Sequence, residues 1–372
     1  MSDTGMRRLA RRVLSQRAYM AIARFAVAPI RGWKRRFWFA LPGSLARGHQ
    51  YPEVLAISLT TRCNLRCFIC RREGFRPEDI VFENLKKLET AISYAKTIDL
   101  TGWGEPLIYP RMREVLEYVF SLNSGQVIGL TTNGTRLSEE YGRLLSGHLR
   151  YLNISLNAAT EATYERDMKH GDFNATLSSI RSFISALDVT DRSSLSLHMV
   201  AHTGNYQEIP DFVVLAHDLG VPIVSVGQYL VGISDHSRYS LLHVREDYNR
   251  CVQAGCVRAE ELGLQFSAAK FFRETEPPGG ECVSPFTDCY ILPNGDVHPC
   301  CYCGNSVTMG NVYELGFDAV WFGVDYQKLR QRRDLPACRV CPPLLPFDSV
   351  QAHFTADLKL SDEFDQIVRT YQ

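Results

Sequence analysis

VLAISLTTRCNLRCFIC, residues 54–70, joins a run of apolar and β-branched residues to three cysteines spaced C-x3-C-x2-C. The first six residues have the composition of a buried strand. The loop that follows gathers Cys63, Cys67 and Cys70, three of the chain's twelve cysteines. Structural zinc closes a tetrahedron and needs a fourth ligand from elsewhere. A cubane iron–sulfur cluster can take three thiolates and leave one iron open. Disulfides need an even set and an oxidising compartment, and no signal peptide of the usual kind precedes the stretch. The spacing thus points to a cytosolic metal site, with a cluster ahead of zinc.

From Tyr51 onward the strand pattern recurs. VLAISL (54–59), TIDLTG (97–102), QVIGLTTN (126–133), YLNISLN (151–157), SLSLHMVA (194–201) and PIVSVGQYL (222–230) read as buried parallel strands. Helical patterns over 82–95, 112–123, 174–189 and 209–219 separate them, and another over 244–262 follows the sixth strand. This order implies right-handed crossovers and an α/β fold with a partial (βα)6 parallel barrel. Chemistry in such folds sits at the carboxyl ends of strands, where the cysteine loop begins.

The 372 residues are 45% hydrophobic and 22% charged, with 41 basic and 41 acidic side chains, as in a soluble globular protein. Zero net charge argues against a nucleic-acid partner. The ten histidines form no H-x-x-H or H-E-x-x-H group, so a mononuclear metal hydrolase finds no support. The balance is uneven along the chain: the first fifty residues carry eleven Lys or Arg against one acid, Asp3. Arg7, Arg8, Arg11 and Arg12 fall on one helical face opposite Met6, Leu9, Val13 and Leu14. Lys34, Arg35 and Arg36 then stand beside Trp33, Phe37, Trp38 and Phe39, the mixture of interfacial anchors. No apolar run is long enough to span a bilayer. A peripheral contact with the inner face of the membrane, packing on the chain's own core and an acidic partner remain the three readings; the expected location is cytoplasmic.

A C-x3-C-x2-C loop after the first of six βα units resembles the radical S-adenosylmethionine (SAM) superfamily, and an aromatic, Phe68, sits just before the last x-C. TGWGEP, with Gly102, Gly104, Glu105 and Pro106, is similar to that family's Gly-Gly-Glu turn, interrupted here by Trp103. TTNGT brings Thr132 and Asn133 to the end of strand three, and ISLNA brings Ser155 and Asn157 to the end of strand four. The resemblance covers residues 51 to about 245. It implies that Cys63, Cys67 and Cys70 hold three irons of a [4Fe–4S] cluster, whose fourth iron is chelated by SAM. Glu105 would meet the methionine amino group, and Gly102, Gly104, Thr132, Asn133, Ser155 and Asn157 would be SAM contacts. Reduction then yields a 5′-deoxyadenosyl radical, which is why a fourth cysteine is not wanted. Arg62, Arg66, Arg71 and Arg72 surround the loop, as solvated charges or as partners of the anionic cluster.

Near the C-terminus, Asn294-Gly295 between two apolar runs is a hairpin signal. Cys282 and Cys300 flank it, and CRVC adds Cys338 and Cys341. This resembles the twitch domain, the shorter relative of the SPASM domain, which implies an auxiliary [4Fe–4S] cluster on those four cysteines. Cys289, Cys301 or Cys303 is an alternative ligand, and zinc on the same set is the structural alternative. No cysteine follows Cys341, so a two-cluster SPASM domain is not expected. The expected organisation is a basic extension over 1–50, a radical SAM core over 51–270, the auxiliary domain over 271–345 and a helical tail over 346–372.

Cys251 and Cys256 fall on one predicted helix, as core thiols or as a hydrogen donor to a substrate radical. His198, His202, Gln228 and Tyr229 end strands five and six and are candidate substrate contacts. The family parts imply hydrogen abstraction from an unactivated carbon, with oxidation of the substrate at the auxiliary cluster's expense as the leading outcome. Epimerisation or carbon–carbon or carbon–sulfur bond formation is the alternative. A reductant such as flavodoxin or ferredoxin is implied, and lipid, sugar or cyclitol, and peptide substrates stay open.

Overall fold

The structure, a computed structural model, describes residues 39, 50–70, 76–122, 125–230, 234–268, 282–300, 307–332 and 335. Eleven strands lie among them: β1 Val54–Ile57, β2 Arg66–Cys67, β3 Thr97–Asp99, β4 Val127–Thr132, β5 Leu149–Ser155, β6 Met168–Lys169, β7 Leu195–Ala201, β8 Ile223–Gln228, β9 Gln265–Ala268, β10 Asp288–Ile291 and β11 Val297–His298. Nine form one sheet in the order β11-β10-β1-β3-β4-β5-β7-β8-β9, parallel throughout except for the β10–β11 hairpin. The other two, β2 and β6, make a small antiparallel pair.

Strand alternation divides the sheet into two faces. Leu195, Leu197 and Met199 of β7, Leu152 and Ile154 of β5 and Ile128 and Leu130 of β4 are fully buried on the outer face. The helix Met112–Leu122 covers that face with Met112, Val115, Leu116 and Val119, and Phe173–Ala186 does so with Ile180 and Phe183. The helices begin where short polar side chains satisfy free backbone donors: Ser138, Thr160 and Asp172 cap the N–H groups of Tyr141, Thr163 and Ala175. Such an outer core, a parallel sheet under amphipathic helices, is what the periodicity requires.

The structure differs from the sequence expectation in four places. A further parallel strand, β9, extends the six; its four residues, QFSA, are too few and too polar to register as a strand from sequence. The helix expected over 82–95 is two, Phe82–Lys86 and Glu89–Tyr94, because Lys87 and Leu88 bond back three residues and turn Leu88 inward. Two short helices, Glu139–Leu145 and Glu161–Asp167, lie in crossovers where none was expected.

The fourth difference concerns the hairpin. The Asn294-Gly295 turn forms, with Gly295 at φ 91°, and a Cβ there would strike the Tyr313 ring at 2.3 Å. The hairpin also joins the main sheet. Its β10 pairs in parallel with β1, Val54 against Asp288 through Ile57 against Ile291, covering an edge that would otherwise expose unpaired backbone. Trp321 Nε1 donates to Gln50 O at 2.8 Å, and Tyr51 Oη donates to Asp318 at 2.5 Å, tying the later helices to the entry of β1. Phe39, read as part of an interfacial anchor, packs inward: its ring meets Phe286 and Trp321 and lies 4.3 Å from the Arg330 guanidinium. Apart from Phe39 and Gln50, the basic extension lies outside the described residues. Among the described residues no helix is long and apolar enough to cross a membrane.

Candidate active site

The cysteine loop is built on the end of β1. Ile80 N donates to Leu59 O, Thr61 N to Glu78 O and Thr60 Oγ1 to Asp79, so the returning chain holds the loop's entry. Leu65, 1% exposed, plugs its middle into the core. The β2–β6 pair, Cys67 opposite Met168, holds its far side, and Cys70 N donates to Cys67 O at 3.1 Å. Cys63, Cys67 and Cys70 are half-buried and form no disulfide. Leu65 N lies 3.4 Å and Asn133 Nδ2 3.7 Å from the Cys63 sulfur, two donors placed to favour a thiolate. Among the described residues no three His, Cys, Asp or Glu side chains converge as ligands of a single ion would. A cubane would take one thiolate for each of three irons, and three partly exposed thiols on one loop fit that donor set.

The turn after β3 packs against this loop. Glu105 N donates to Arg62 O at 2.8 Å, and a Cβ on Gly104 would lie 2.2 Å from Arg62 O and 2.5 Å from Thr60 O. Only glycine permits that approach. A Cβ on Gly102 would likewise meet Ser58 Oγ at 2.4 Å. Glu105 is 2% exposed, and its carboxylate accepts from Thr132 Oγ1 at 2.7 Å, Asn133 N at 2.7 Å and Leu107 N at 3.1 Å. Burial raises its pKa, and these three bonds oppose the rise. Asn133 continues the chain through Nδ2 to Asn64 Oδ1 at 3.0 Å, and Asn64 Nδ2 reaches Thr135 Oγ1 at 2.8 Å. Gly102, Gly104, Glu105, Thr132, Asn133 and Cys63 therefore belong to one network. Trp103 leaves it, packing against Ala56, Tyr290 and Leu292 on the inner side of β1 and β10.

Asn157 lies outside that network. It adopts φ 63°, and its Oδ1 accepts from Val200 N at 2.8 Å, bridging β5 to β7. Ser155 stands level with His198 on the inner face. That face is polar well beyond Ser155 and His198, the two of its residues that the sequence names. Tyr151 Oη donates to Asp99 at 2.6 Å, Ser196 Oγ to Asn153 Oδ1 at 2.9 Å, and His198 Nδ1 pairs with Ser225 Oγ at 2.7 Å. Burial raises the Asp99 pKa, against bonds from Thr101 and Tyr151, and lowers that of His198 to about 4, so the imidazole is neutral near pH 7. The signal was present in SLSLH and IVSV, where small polar residues alternate with apolar ones, but sheets of this class read as apolar on both faces.

Phe68 sits within an aromatic cluster. Its ring meets His202 at 4.9 Å and Tyr239 at 4.7 Å, with Tyr229 and His236 near 6 Å, at 5.9 and 5.8 Å. His202, 1% exposed, bonds Asp167 at 3.1 Å, and Arg166 holds the same carboxylate. His202 and Tyr229, just past the ends of β7 and β8, thus pack against the cysteine loop through Phe68. Of the two predicted histidines, His198 lies within β7 and His202 follows its end.

The C-terminal cysteines divide by depth. Cys282 precedes the helix Ser284–Thr287 that leads into β10, and Cys300 follows β11, so the hairpin brings both to its open end. Both are half-buried. Cys289 is 1% exposed on the outer face of β10, and burial pushes its thiol up to about 12, the behaviour of a core residue rather than a ligand. Cys301, Cys303, Cys338 and Cys341 lie outside the described residues, as do Arg71 and Arg72. Cys251 and Cys256 ride on the helix Arg245–Glu261, whose Gly255 packs on Ile209 and Phe266 behind the sheet. A hydrogen donor to a radical inside the barrel would have to lie on the other face.

A family model described as the radical SAM superfamily matches residues 57–232, and one described as an iron–sulfur cluster-binding domain, SPASM, matches residues 282–342. The probable GTP 3′,8-cyclase of Methanocaldococcus jannaschii is 31% identical over 176 residues, 45% of this chain and 55% of that protein. Molybdenum cofactor biosynthesis protein 1 of Bos taurus is 32% identical over 191 residues, 49% of this chain and 29% of that protein. The match therefore spans about half the length of the first relative and less of the second. The AdoMet-dependent heme synthase of Methanosarcina barkeri is 23% identical over 320 residues, 78% of this chain and 88% of that protein. Among solved structures, anSMEcpe with bound AdoMet superimposes with a TM-score of 0.60 at 14% identity, over 86% of this chain and 99% of that one. Streptococcus suis SuiB bound to precursor peptide SuiA does so with 0.58 at 18%, over 77% and 69%. At these identities the superpositions speak for the fold.

Proposed function

This chain is a radical SAM enzyme with a SPASM iron–sulfur cluster-binding domain, and from that premise we propose that it removes hydrogen from an unactivated carbon and leaves its substrate oxidised. A reduced [4Fe–4S] cluster with SAM supplies a 5′-deoxyadenosyl radical when bound. The residues proposed to hold the cluster are Cys63, Cys67 and Cys70. Gly102, Gly104, Glu105, Thr132 and Asn133 are proposed to shape the SAM site through the network that fixes the loop. Cys282, Cys300, Cys338 and Cys341 are proposed to hold a second cluster as electron acceptor, with flavodoxin or ferredoxin as the external reductant.

One observation carries the redox reading. Because β1 and β10 run parallel in register, the Cys63–Cys70 loop follows the carboxyl end of one strand while Cys282 precedes the amino end of its neighbour. The two thiol groups sit at opposite ends of one sheet, with the polar inner face between them. A substrate on that face would lie between the Cys63–Cys70 loop and Cys282, which suits removal of hydrogen at one end and of an electron at the other. The match to proteins named GTP 3′,8-cyclase favours ring closure as the second reading, in which the substrate radical adds to another of its own atoms and the cyclised radical is quenched by one electron from the external reductant and one solvent proton.

The test is turnover in deuterated water with the reconstituted enzyme. Changing Cys338 and Cys341 to Ala should preserve SAM cleavage and stop the oxidised product. A product two mass units below substrate and free of deuterium supports oxidation. A rearranged skeleton at unchanged oxidation level, with or without one deuterium, would replace it with the cyclisation reading, and one deuterium in an unrearranged skeleton would replace it with epimerisation.

A further inference from the structure

We propose that the inner face of the sheet is a binding site for a small, uncharged, hydroxyl-rich molecule, with His198 Nε2 as the acceptor for one of its hydroxyls. The assignment rests on the radical reading for what is done to that molecule, but not for its binding. The positions that alternation turns inward on β3, β5, β7 and β8 include Asp99, Tyr151, Asn153, Ser196, His198 and Ser225. Most are half-buried although strands flank them on both sides, so they border open space inside the barrel.

The layer is assembled for hydrogen bonding, with no cationic side chain among its described strand positions. Three of its pairs, Asp99–Tyr151, Asn153–Ser196 and His198–Ser225, each bridge strands and orient one another. His198 spends Nδ1 on Ser225, and among the described residues no hydrogen bond is made at its Nε2. Gly227 keeps the space beside that edge clear: a Cβ there would come within 3.3 Å of His198 Cε1 and 3.4 Å of Nε2. The imidazole is neutral, so Nε2 accepts if Nδ1–H donates to Ser225.

Among the described strand residues no Lys or Arg occupies an inward position, whereas Asp99 does. A phosphate or triphosphate brought there would lose its hydration without gaining a counter-charge, which is costly in a buried site. A hydroxyl loses less and recovers it from Ser, Asn and His partners. The Trp103, Tyr290 and Leu292 side of the same space is apolar and suits the carbon face of a ring. A sugar or cyclitol has both surfaces, and a nucleoside triphosphate does not. On this ground the chain departs from relatives named for GTP.

The experiment is calorimetry on the reconstituted, SAM-loaded protein with matched probes: myo-inositol, N-acetylglucosamine and glucose against myo-inositol 1-phosphate, N-acetylglucosamine 1-phosphate and GTP. At least one neutral probe should bind ten times more tightly than its phosphorylated counterpart or GTP. His198→Leu should weaken it tenfold or more, while His198→Gln, which keeps an acceptor, should stay within about threefold. Equal or tighter binding of a phosphorylated probe, indifference to His198→Leu, or no binding by any neutral probe overturns the assignment. Release of 5′-deoxyadenosine under dithionite is followed in parallel. If it persists while the probes fail, the radical reading stands and only the ligand class falls; if it is absent with all three loop cysteines intact, the radical reading itself fails.

Discussion

Tyr151 donates to Asp99 at 2.6 Å across an intervening strand, and it can do so because that strand carries Gly129 at the crossing point. A Cβ on Gly129 would lie 2.5 Å from Tyr151 Cε1 and 2.6 Å from Cζ. The glycine is therefore needed for close approach rather than for an unusual φ. Gly129→Ala should displace the ring and also leave the buried carboxylate short of a donor, whereas Tyr151→Phe removes only the bond, at about 1–3 kcal/mol. The alanine variant should be the less stable by denaturant titration; the reverse order would show that the ring does not rest on that strand.

Gly104 offers a second comparison. Its added methyl would meet backbone oxygens of Thr60 and Arg62, which cannot step aside as a side chain can, whereas a Cβ on Gly147, at φ 81°, meets nothing within 4 Å. Gly147→Ala should cost about 1 kcal/mol in strain. Gly104→Ala should cost several times that, of the order of 3 kcal/mol, and lower the iron retained by the Cys63–Cys70 loop. Full iron content in Gly104→Ala protein would detach the turn from the loop's placement.

His198 predicts a pH effect of definite sign. Its folded pKa, about 4, lies below the ordinary 6.5 because burial disfavours the imidazolium. The unfolded chain therefore takes up the proton first as pH falls. Stability is complete above pH 6.5 and declines toward pH 4, by about 2–3 kcal/mol for this group. In His198→Leu protein the loss between pH 7 and 4.5 should shrink by most of that amount. Parallel curves for variant and wild type would mean that the imidazole is not held neutral.

Iron counting addresses the thiols. Anaerobic reconstitution should give about eight irons per chain, and joint replacement of Cys63, Cys67 and Cys70 by Ala should leave about four and end SAM cleavage. Zinc in place of the remaining iron, or cleavage that survives the replacement, counts against two cubanes.

The basic extension predicts salt-sensitive association with anionic vesicles, since polybasic attraction is screened within a Debye length. Removing residues 1–40 should abolish co-sedimentation and leave SAM cleavage in place. Because Phe39 packs on Trp321 and Arg330, the shortened chain should also unfold at a lower temperature than one beginning at residue 38. Equal vesicle binding by long and short chains removes the membrane reading.

What the sequence by itself determined is local in origin. The C-x3-C-x2-C loop, the alternation of strand and helix and the Asn294-Gly295 turn each depend on residues within a few positions of one another, so spacing, period and turn chemistry suffice to read them. Only the tertiary structure decided that β10 lies along β1, that Glu105 bonds Thr132 and Asn133, that Phe39 faces inward and that Asp99, 52 residues from Tyr151, meets it over a glycine. Those contacts arise from strand order and register. A register moved by one residue would send every inward side chain to the helices instead, and nothing in a single strand's own pattern says which strand lies beside it.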